Sequence, residues 1–201
     1  MWSQAPILTY SDLKAVWGFG AMDLWAAGSG STTVHSDGSQ WTRTSGLGGS
    51  IYNAVWGSAP NNVWVVGFAG ALARWNGSTM TAVNSGLSSD LRGIWGSAPN
   101  DIWIVGTTGV FRYNGTSLSA VPTPIGSMGP FYGVWGSAAN DVWAVGSSIL
   151  HWDGTAWSLF GPTPEPAVSL SSTSTELVAS AYPSSVMKWN GYSPFISQRS
   201  T

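Results

Sequence analysis

Cysteine is absent from the 201 residues, charged side chains make up only 8% of them, and no apolar run approaches the length of a membrane-spanning helix. The first absence excludes a disulfide framework and thiolate metal sites. The second, with a formal net charge of -2, excludes the basic footprint of a nucleic-acid binder. The third excludes a spanning helix, so no membrane insertion is expected. With two histidines, metal ligands are scarce, and neither metal nor cofactor is expected. The opening MWSQAP has no basic or apolar stretch of the kind a secretory signal carries. What the chain does have is 14 tryptophans and 43% hydrophobic residues, which argues for a packed core rather than disorder.

One phrase recurs. GSAPNDIWIVG (96–106) stands beside GSAPNNVWVVG (57–67), GSAANDVWAVG (136–146) and a worn copy, GFGAMDLWAAG (18–28). Trp17, Trp56, Trp95 and Trp135 recur at spacings of 39, 39 and 40, and Trp25, Trp64, Trp103 and Trp143 follow each by eight. An Asx-Gly pair marks every unit: Asp37-Gly38, Asn76-Gly77, Asn114-Gly115, Asp153-Gly154 and Asn190-Gly191. The last exposes a degraded fifth copy, in which AVSL (167–170) and ELVAS (176–180) replace the Trp-bearing strands. Repeats of this length indicate a solenoid, propeller or array.

Each unit reads as four short strands, a to d; in the third they are LRGIWG, DIWIVG, VFRYNG and SLSAV. Asx-Gly between c and d signals a hairpin in which both residues tolerate positive φ. Strand b is apolar on both faces, as a central strand should be. Four strands per unit predict an all-β fold, a five-bladed β-propeller of four-stranded antiparallel blades. The whole chain is read as one propeller domain, with units at about 14–52, 53–91, 92–131, 132–166 and 167–201. Residues 2–9 are strand d material, and YSPFIS (192–197) competes for the same edge. The first segment closes the last blade as a clasp, the chain is part of a larger ring, or an open blade edge recruits a second copy.

These phrases resemble the VWGSxPNDVWAVG repeat of secreted bacterial proteins, and HWDGTAW (151–157) resembles the Asp-box hairpin of sialidase-like propellers. The resemblance implies the propeller fold and no particular activity. Sialidase-type catalysis, which the Asp-box likeness brings to mind, needs an arginine cluster, a Tyr–Glu nucleophile pair and an acid. The two glutamates are Glu165 and Glu176, and Glu176, Arg74 and Arg112 already belong to the ladder described next, so no enzyme and no catalytic residue is expected.

Five of the nine potentially cationic residues hold one equivalent position on strand c: His35, Arg74, Arg112, His151 and Lys188. The residue opening strand b is Asp23, Asn62, Asp101, Asp141 or Glu176. The midpoint of every such pair falls in the b–c turn, which predicts direct cross-strand partners contributing roughly 0.2–1 kcal/mol each. The same register sets Trp64 opposite Leu72, Trp103 opposite Val110 and Trp143 opposite Ile149. The basic ring therefore reads as structural.

Positions that differ between units are the ones the fold does not fix. Three residues before the strand-a tryptophan stand Lys14, Asn53, Arg92 and Tyr132, with Asp12, Tyr52, Asp90 and Phe131 in the adjoining d–a loops. At the mouth of a central channel these eight suit a ligand rich in hydroxyl or carboxylate groups. The expectation is a non-catalytic, lectin-like carbohydrate-binding module, with a protein-interaction scaffold without its own ligand as the alternative. Partners would be glycans or another protein. Composition alone makes an extracellular location the expectation. The sequons at Asn76 and Asn114 coincide with the hairpin turn, which already accounts for them.

Overall fold

The computed structural model describes residues 11–44, 47, 50–124, 129–162, 167–172, 177–181, 185–189 and 196–199. Among them lie twenty strands in five four-stranded antiparallel sheets, each ordered a-b-c-d as in the sequence. Sheet 1 holds β1 (Leu13–Gly20), β2 (Asp23–Gly28), β3 (Thr33–Ser36) and β4 (Trp41–Arg43). Sheet 2 holds β5 (Tyr52–Ala59), β6 (Asn62–Gly67), β7 (Leu72–Trp75) and β8 (Met80–Ala82). Sheet 3 holds β9 (Leu91–Ala98), β10 (Asp101–Gly106), β11 (Gly109–Tyr113) and β12 (Leu118–Val121). Sheet 4 holds β13 (Phe131–Ala138), β14 (Asp141–Gly146), β15 (Ser148–Trp152) and β16 (Trp157–Pro162). Sheet 5 holds β17 (Ala167–Ser172), β18 (Leu177–Ala181), β19 (Ser185–Trp189) and β20 (Ile196–Arg199). Of the expected strand at 192–197, residues 196 and 197 lie in β20; residues 192–195 and the expected strand at 2–9 lie outside the described residues.

The chain divides into two compact units, Met1–Leu91 and Arg92–Thr201. In the first, β1 and β2 pack against β5. Trp25 and Ala27, flanked by Trp17 and Phe19, meet Tyr52, Val55, Val63 and Ala73 of the next sheet. In the second unit Trp103 and Val105, with Trp95, meet Phe131, Val134, Val142 and Leu150, and β13 and β14 pack against β17. The rule is the same in both: a tryptophan-bearing face lies on the branched aliphatic face of the following sheet. Side chains alternate across a strand, so one sheet serves both roles. Strand b is buried on both faces, as its continuous apolar run requires.

The aromatic contacts follow this stacking. Ring centroids of Trp25 and Trp75 lie 5.2 Å apart, and those of Trp103 and Trp152 4.9 Å apart. Trp17–Trp56 and Trp95–Trp135 are more open, at 6.3 and 6.4 Å. These are tilted arrangements that aromatic quadrupoles favour over face-to-face stacking. The glycine after the strand-a tryptophan makes room for an aromatic ring of another strand a. A Cβ on Gly57 would meet the Phe19 ring at 2.6 Å, and one on Gly136 would meet Trp95 at 2.6 Å.

The first sheet departs from its equivalents on one face. Val16 is 70% exposed, whereas Val55 is 7%, Ile94 8% and Val134 8% exposed. Leu13 is likewise exposed where Tyr52, Leu91 and Phe131 are buried. Val134→Ala is expected to cost about 2 kcal/mol, because two buried methyl groups are lost. Val16→Ala should leave stability unchanged. Urea unfolding followed by tryptophan fluorescence checks both, and equal losses would contradict the burial difference.

Candidate functional site

A polar cluster recurs where strand a turns into strand b. Strand a carries a bulge two residues before its end, between Gly57 and Ala59 in sheet 2 and between Gly136 and Ala138 in sheet 4. The extra residue, Ser58 or Ser137, aims its hydroxyl at the Asx opening strand b. Ser58 Oγ accepts from Asn62 Nδ2 at 2.7 Å, and the Ser137 hydroxyl donates to Asp141. In sheets 1, 2 and 4 the Asx Oδ1 takes two donors. One is the indole of the strand-b tryptophan: Trp25 to Asp23 at 3.1 Å, Trp64 to Asn62 at 3.1 Å, Trp143 to Asp141 at 3.0 Å. The second is the strand-c base: His35 Nε2 lies 2.9 Å from Asp23, and His151 Nε2 lies 2.8 Å from Asp141. Arg112 Nε donates to Asp101 at 2.7 Å, and Arg74 Nε donates to Asn62 at the same distance.

The acid and base therefore meet, but not in the expected register. Trp25 stands opposite His35, Trp64 opposite Arg74, Trp103 opposite Arg112 and Trp143 opposite His151. The expected pairings of those tryptophans with Leu72, Val110 and Ile149 are off by two residues. The shift is even, so acid and base stay on one sheet face, and long side chains span the diagonal. Being opposite the tryptophan, the base also lies flat on it. The His35 and His151 rings stack on Trp25 and Trp143 at 4.3 Å. The guanidinium groups of Arg74 and Arg112 sit 5.3 and 4.9 Å from the Trp64 and Trp103 rings. In sheet 5 Val178 faces Lys188; Glu176 lies outside the described residues.

Burial works to raise the Asp141 pKa, but hydrogen bonds from Ser137, His151 and Trp143, with the charge of His151, outweigh it and leave the carboxyl below its ordinary range. At the c–d turns, the expected hairpin with two positive-φ residues is not formed. Only the glycine is left-handed, with φ of 86°, 99°, 95° and 100° at Gly38, Gly77, Gly115 and Gly154. The preceding Asx instead caps a four-residue turn. Its oxygen accepts from backbone N–H groups two and three residues on, at 2.9 and 2.9 Å for Asp37 and 2.8 and 2.9 Å for Asp153. Hydrogen bonds to Gln40 N–H and the Ser39 hydroxyl lower the Asp37 pKa to about 2, and those to Ala156 N–H and the Thr155 hydroxyl do the same for Asp153.

The eight positions expected to line a ligand site part company. Tyr52 and Phe131 do not lie in loops; they open β5 and β13 and are buried in the apolar clusters. Burial raises the Tyr52 pKa. Two tight packing positions thus mimicked loop aromatics in the sequence. Asn53 Nδ2 donates to the Leu91 carbonyl at 2.8 Å. Asp90 accepts from Ala69 N–H at 3.1 Å. Lys14 Nζ lies 5.3 Å over the Phe68 ring, and the Arg92 guanidinium lies 5.1 Å over Tyr132. Asp12 is exposed, and its carbonyl accepts from Ser29 N–H at 2.9 Å.

Two cavities that sequence reasoning missed occupy one repeat position, the end of the c–d pair beside the b–c turn. That of sheet 3 has a volume of about 350 Å³ and is lined by Val110, Phe111, Ala120, Val121 and Pro122 with Thr108 and Thr123. That of sheet 2 measures about 280 Å³ and is lined by Leu72, Val83, Asn84 and Leu87 with Tyr52 and Phe68. No residue-type signal marks them, because the strand ends that form them vary between units.

Asp101→Asn should be nearly neutral, since Asn62 fills the same role, whereas Asp101→Leu removes the acceptor of Arg112 and should cost about 1–2 kcal/mol. Urea unfolding separates the two, and an Asn variant as damaged as the Leu variant would show that charge, not the acceptor, holds the cluster. Acid unfolding tests the turns. A carboxylate with a folded pKa of about 2 against an ordinary 3.8 stabilises fully above 3.8 and loses that contribution as pH falls towards 2. The double variant Asp37→Asn, Asp153→Asn should lose that contribution at pH 7 and unfold with a shallower pH dependence between those limits; an unchanged slope would contradict the assignment.

No family model matches the chain, and no curated protein matches it. Solved structures do. A YCF48 chain bound to D1 peptide is similar at 16% identity with a TM-score of 0.69, covering 92% of this chain and 66% of that one. YCF48 from Cyanidioschyzon merolae is similar at 14% identity and the same TM-score, covering 98% of this chain and 74% of that one. The chain thus spans about two thirds of the first of these proteins. At such identities the likeness shows the fold alone, and that fold is of the β-propeller type.

Proposed function

We propose that the five sheets are the blades of one β-propeller, and that it serves as a non-catalytic scaffold binding a peptide or protein partner. The observation that carries this reading is the sheet 3 cavity beside the open edge of β12, the outermost strand of its sheet. Its lining has Val, Phe, Ala and Pro and no charged or amide side chain. That surface suits an aliphatic or aromatic side chain, while a sugar needs polar groups placed to orient its hydroxyls. The adjoining strand edge offers backbone N–H and C=O groups to an extended segment, which supplies affinity while the cavity selects a side chain. The YCF48 chain bound to a D1 peptide supports a protein partner. The carbohydrate reading has less behind it: Tyr52 and Phe131 are core, and Lys14, Asn53 and Arg92 contact neighbouring groups of the fold.

Selection from a displayed library of random peptides tests the proposal, with a glycan array run alongside. The expected result is a peptide family with an apolar anchor, saturable binding that Ala120→Arg weakens at least tenfold by filling the cavity mouth, and a blank glycan array. Saturable glycan binding that disappears in Arg92→Ala would restore the lectin reading. Peptide binding indifferent to Ala120→Arg would move the site elsewhere and overturn this one.

A further inference from the structure

Among the described residues, the four c–d turns are chemically unequal copies of one geometry. Asp37 and Asp153 hold two of them, and Asn76 and Asn114 the others. Asn76 Oδ1 accepts from Ser78 N–H at 3.0 Å and Thr79 N–H at 2.9 Å; Asn114 Oδ1 accepts from Thr116 N–H at 3.0 Å and Ser117 N–H at 2.9 Å. These contacts match those of the two aspartates, so the turn keeps one geometry whether the partner atom of its accepting oxygen is nitrogen or oxygen. The residue that follows is fixed. Gly77 and Gly115 have left-handed φ, and a Cβ there would lie 3.0 Å from Asn61 Cβ or 2.8 Å from Asn100 Cβ. Among the described residues the fold therefore holds two exposed Asn-Gly pairs in place, while Asn190-Gly191 lies outside them.

We propose that Asn76 and Asn114 are sites of spontaneous deamidation, and that the turn promotes the reaction and accepts its product. The backbone nitrogen of Gly77, unshielded by a neighbouring side chain of its own, attacks Asn76 Cγ. An N–C bond forms, the Cγ–Nδ2 bond breaks, and ammonia leaves carrying the proton from the Gly77 nitrogen. Water then opens the cyclic imide. Opening at one carbonyl yields aspartate, and opening at the other yields isoaspartate with an extra backbone carbon. As the nitrogen attacks, negative charge develops on Oδ1, where the turn donors already point; donors aimed at a developing oxyanion lower the barrier. Asn76 has two more than Asn114, the hydroxyls of Ser78 at 3.0 Å and Thr79 at 3.4 Å, so it reacts first. The aspartate product reproduces the turns of Asp37 and Asp153, and each conversion adds one negative charge to a chain of formal charge -2. Asn84 is an internal control. Its oxygen also accepts from a backbone N–H two residues on, Gly86 at 3.0 Å, but Ser85 follows it.

The test is peptide mapping by mass spectrometry after incubation of the full chain at mildly alkaline pH, folded and in urea. In the folded chain Asn76 should convert fastest and Asn114 next, at least as fast as in urea, with aspartate the major product and Asn53, Asn61, Asn84, Asn100 and Asn140 unchanged. Ser78→Ala should slow Asn76 several-fold in the folded chain only, while an unaltered rate at Asn114 shows that the fold is intact. The product mimic Asn76→Asp, Asn114→Asp should unfold at the same urea concentration as the parent or a higher one. Conversion in urea with both residues preserved in the folded chain would mean that the turn protects the amide, and would overturn the proposal. Equal rates at Asn84 and Asn76, or a destabilised product mimic, would do so as well.

Discussion

Everything in this molecule depends on one contact type: the tryptophan-bearing face of a sheet pressed on the branched aliphatic face of the next. A single four-stranded sheet of about twenty short-strand residues cannot bury enough apolar surface to offset its ordering entropy. It becomes stable only by burying one face on a predecessor and the other on a successor. That is why strand b is apolar on both sides, why a glycine follows the strand-a tryptophan, and why the wording of the sequence recurs. The exposure of Val16 is the same rule seen from its exception: the residue is apolar because its counterparts are buried, although its own face is not covered.

Large indoles in a dry interface bring a polar cost, since each N–H must find an acceptor or lose its bond to water. The Asx opening strand b meets that cost in sheets 1, 2 and 4, and the strand-c base neutralises or hydrogen-bonds the Asx in turn. One consequence concerns chemistry. Among the described side chains, most of the acids and bases are held in these clusters or in the c–d turns, with their donors and acceptors already engaged. The surface left for recognition is made of strand edges, apolar cavities and a few cations lying on aromatic rings. Such a surface is better fitted to shape and backbone pairing than to charge, which is why a peptide partner is proposed.

The sequence made the repeat and the four strands per unit legible because each rests on a local signal: tryptophan spacing, turn residues and apolar runs. It also showed which acid meets which base. It failed on register by two residues, because the midpoint argument placed Asp23 directly opposite His35, and a diagonal contact between long side chains has the same parity. It failed at Tyr52 and Phe131 because a strand that starts with a bulge has no distinctive first residue, so core aromatics read as loop residues. The turn type was missed for a related reason. Asx-Gly announces a hairpin in either of two ways, and only the hydrogen bonds to Oδ1 distinguish a capped four-residue turn from a two-residue one. The cavities had no local signal at all, being formed by strand ends whose residues differ between units.

Sheet 5 shows what the repeat needs and what it has shed. In its backbone register, Ser171 and Val178 stand where the other units carry the strand-a and strand-b tryptophans, and they still pair with each other. Lys188 still stands opposite the strand-b position, as Arg112 and His151 do. The irregularity at the start of strand a persists too, between Ala167 and Ser169 as between Phe131 and Gly133. Pairing therefore survives the loss of the side chains that made the repeat conspicuous. Register in these sheets is set by the bulge and by alternation across the pleat, both of which act on the backbone. The tryptophans act at another level, joining one completed sheet to the next, and a unit can lose them while keeping its shape.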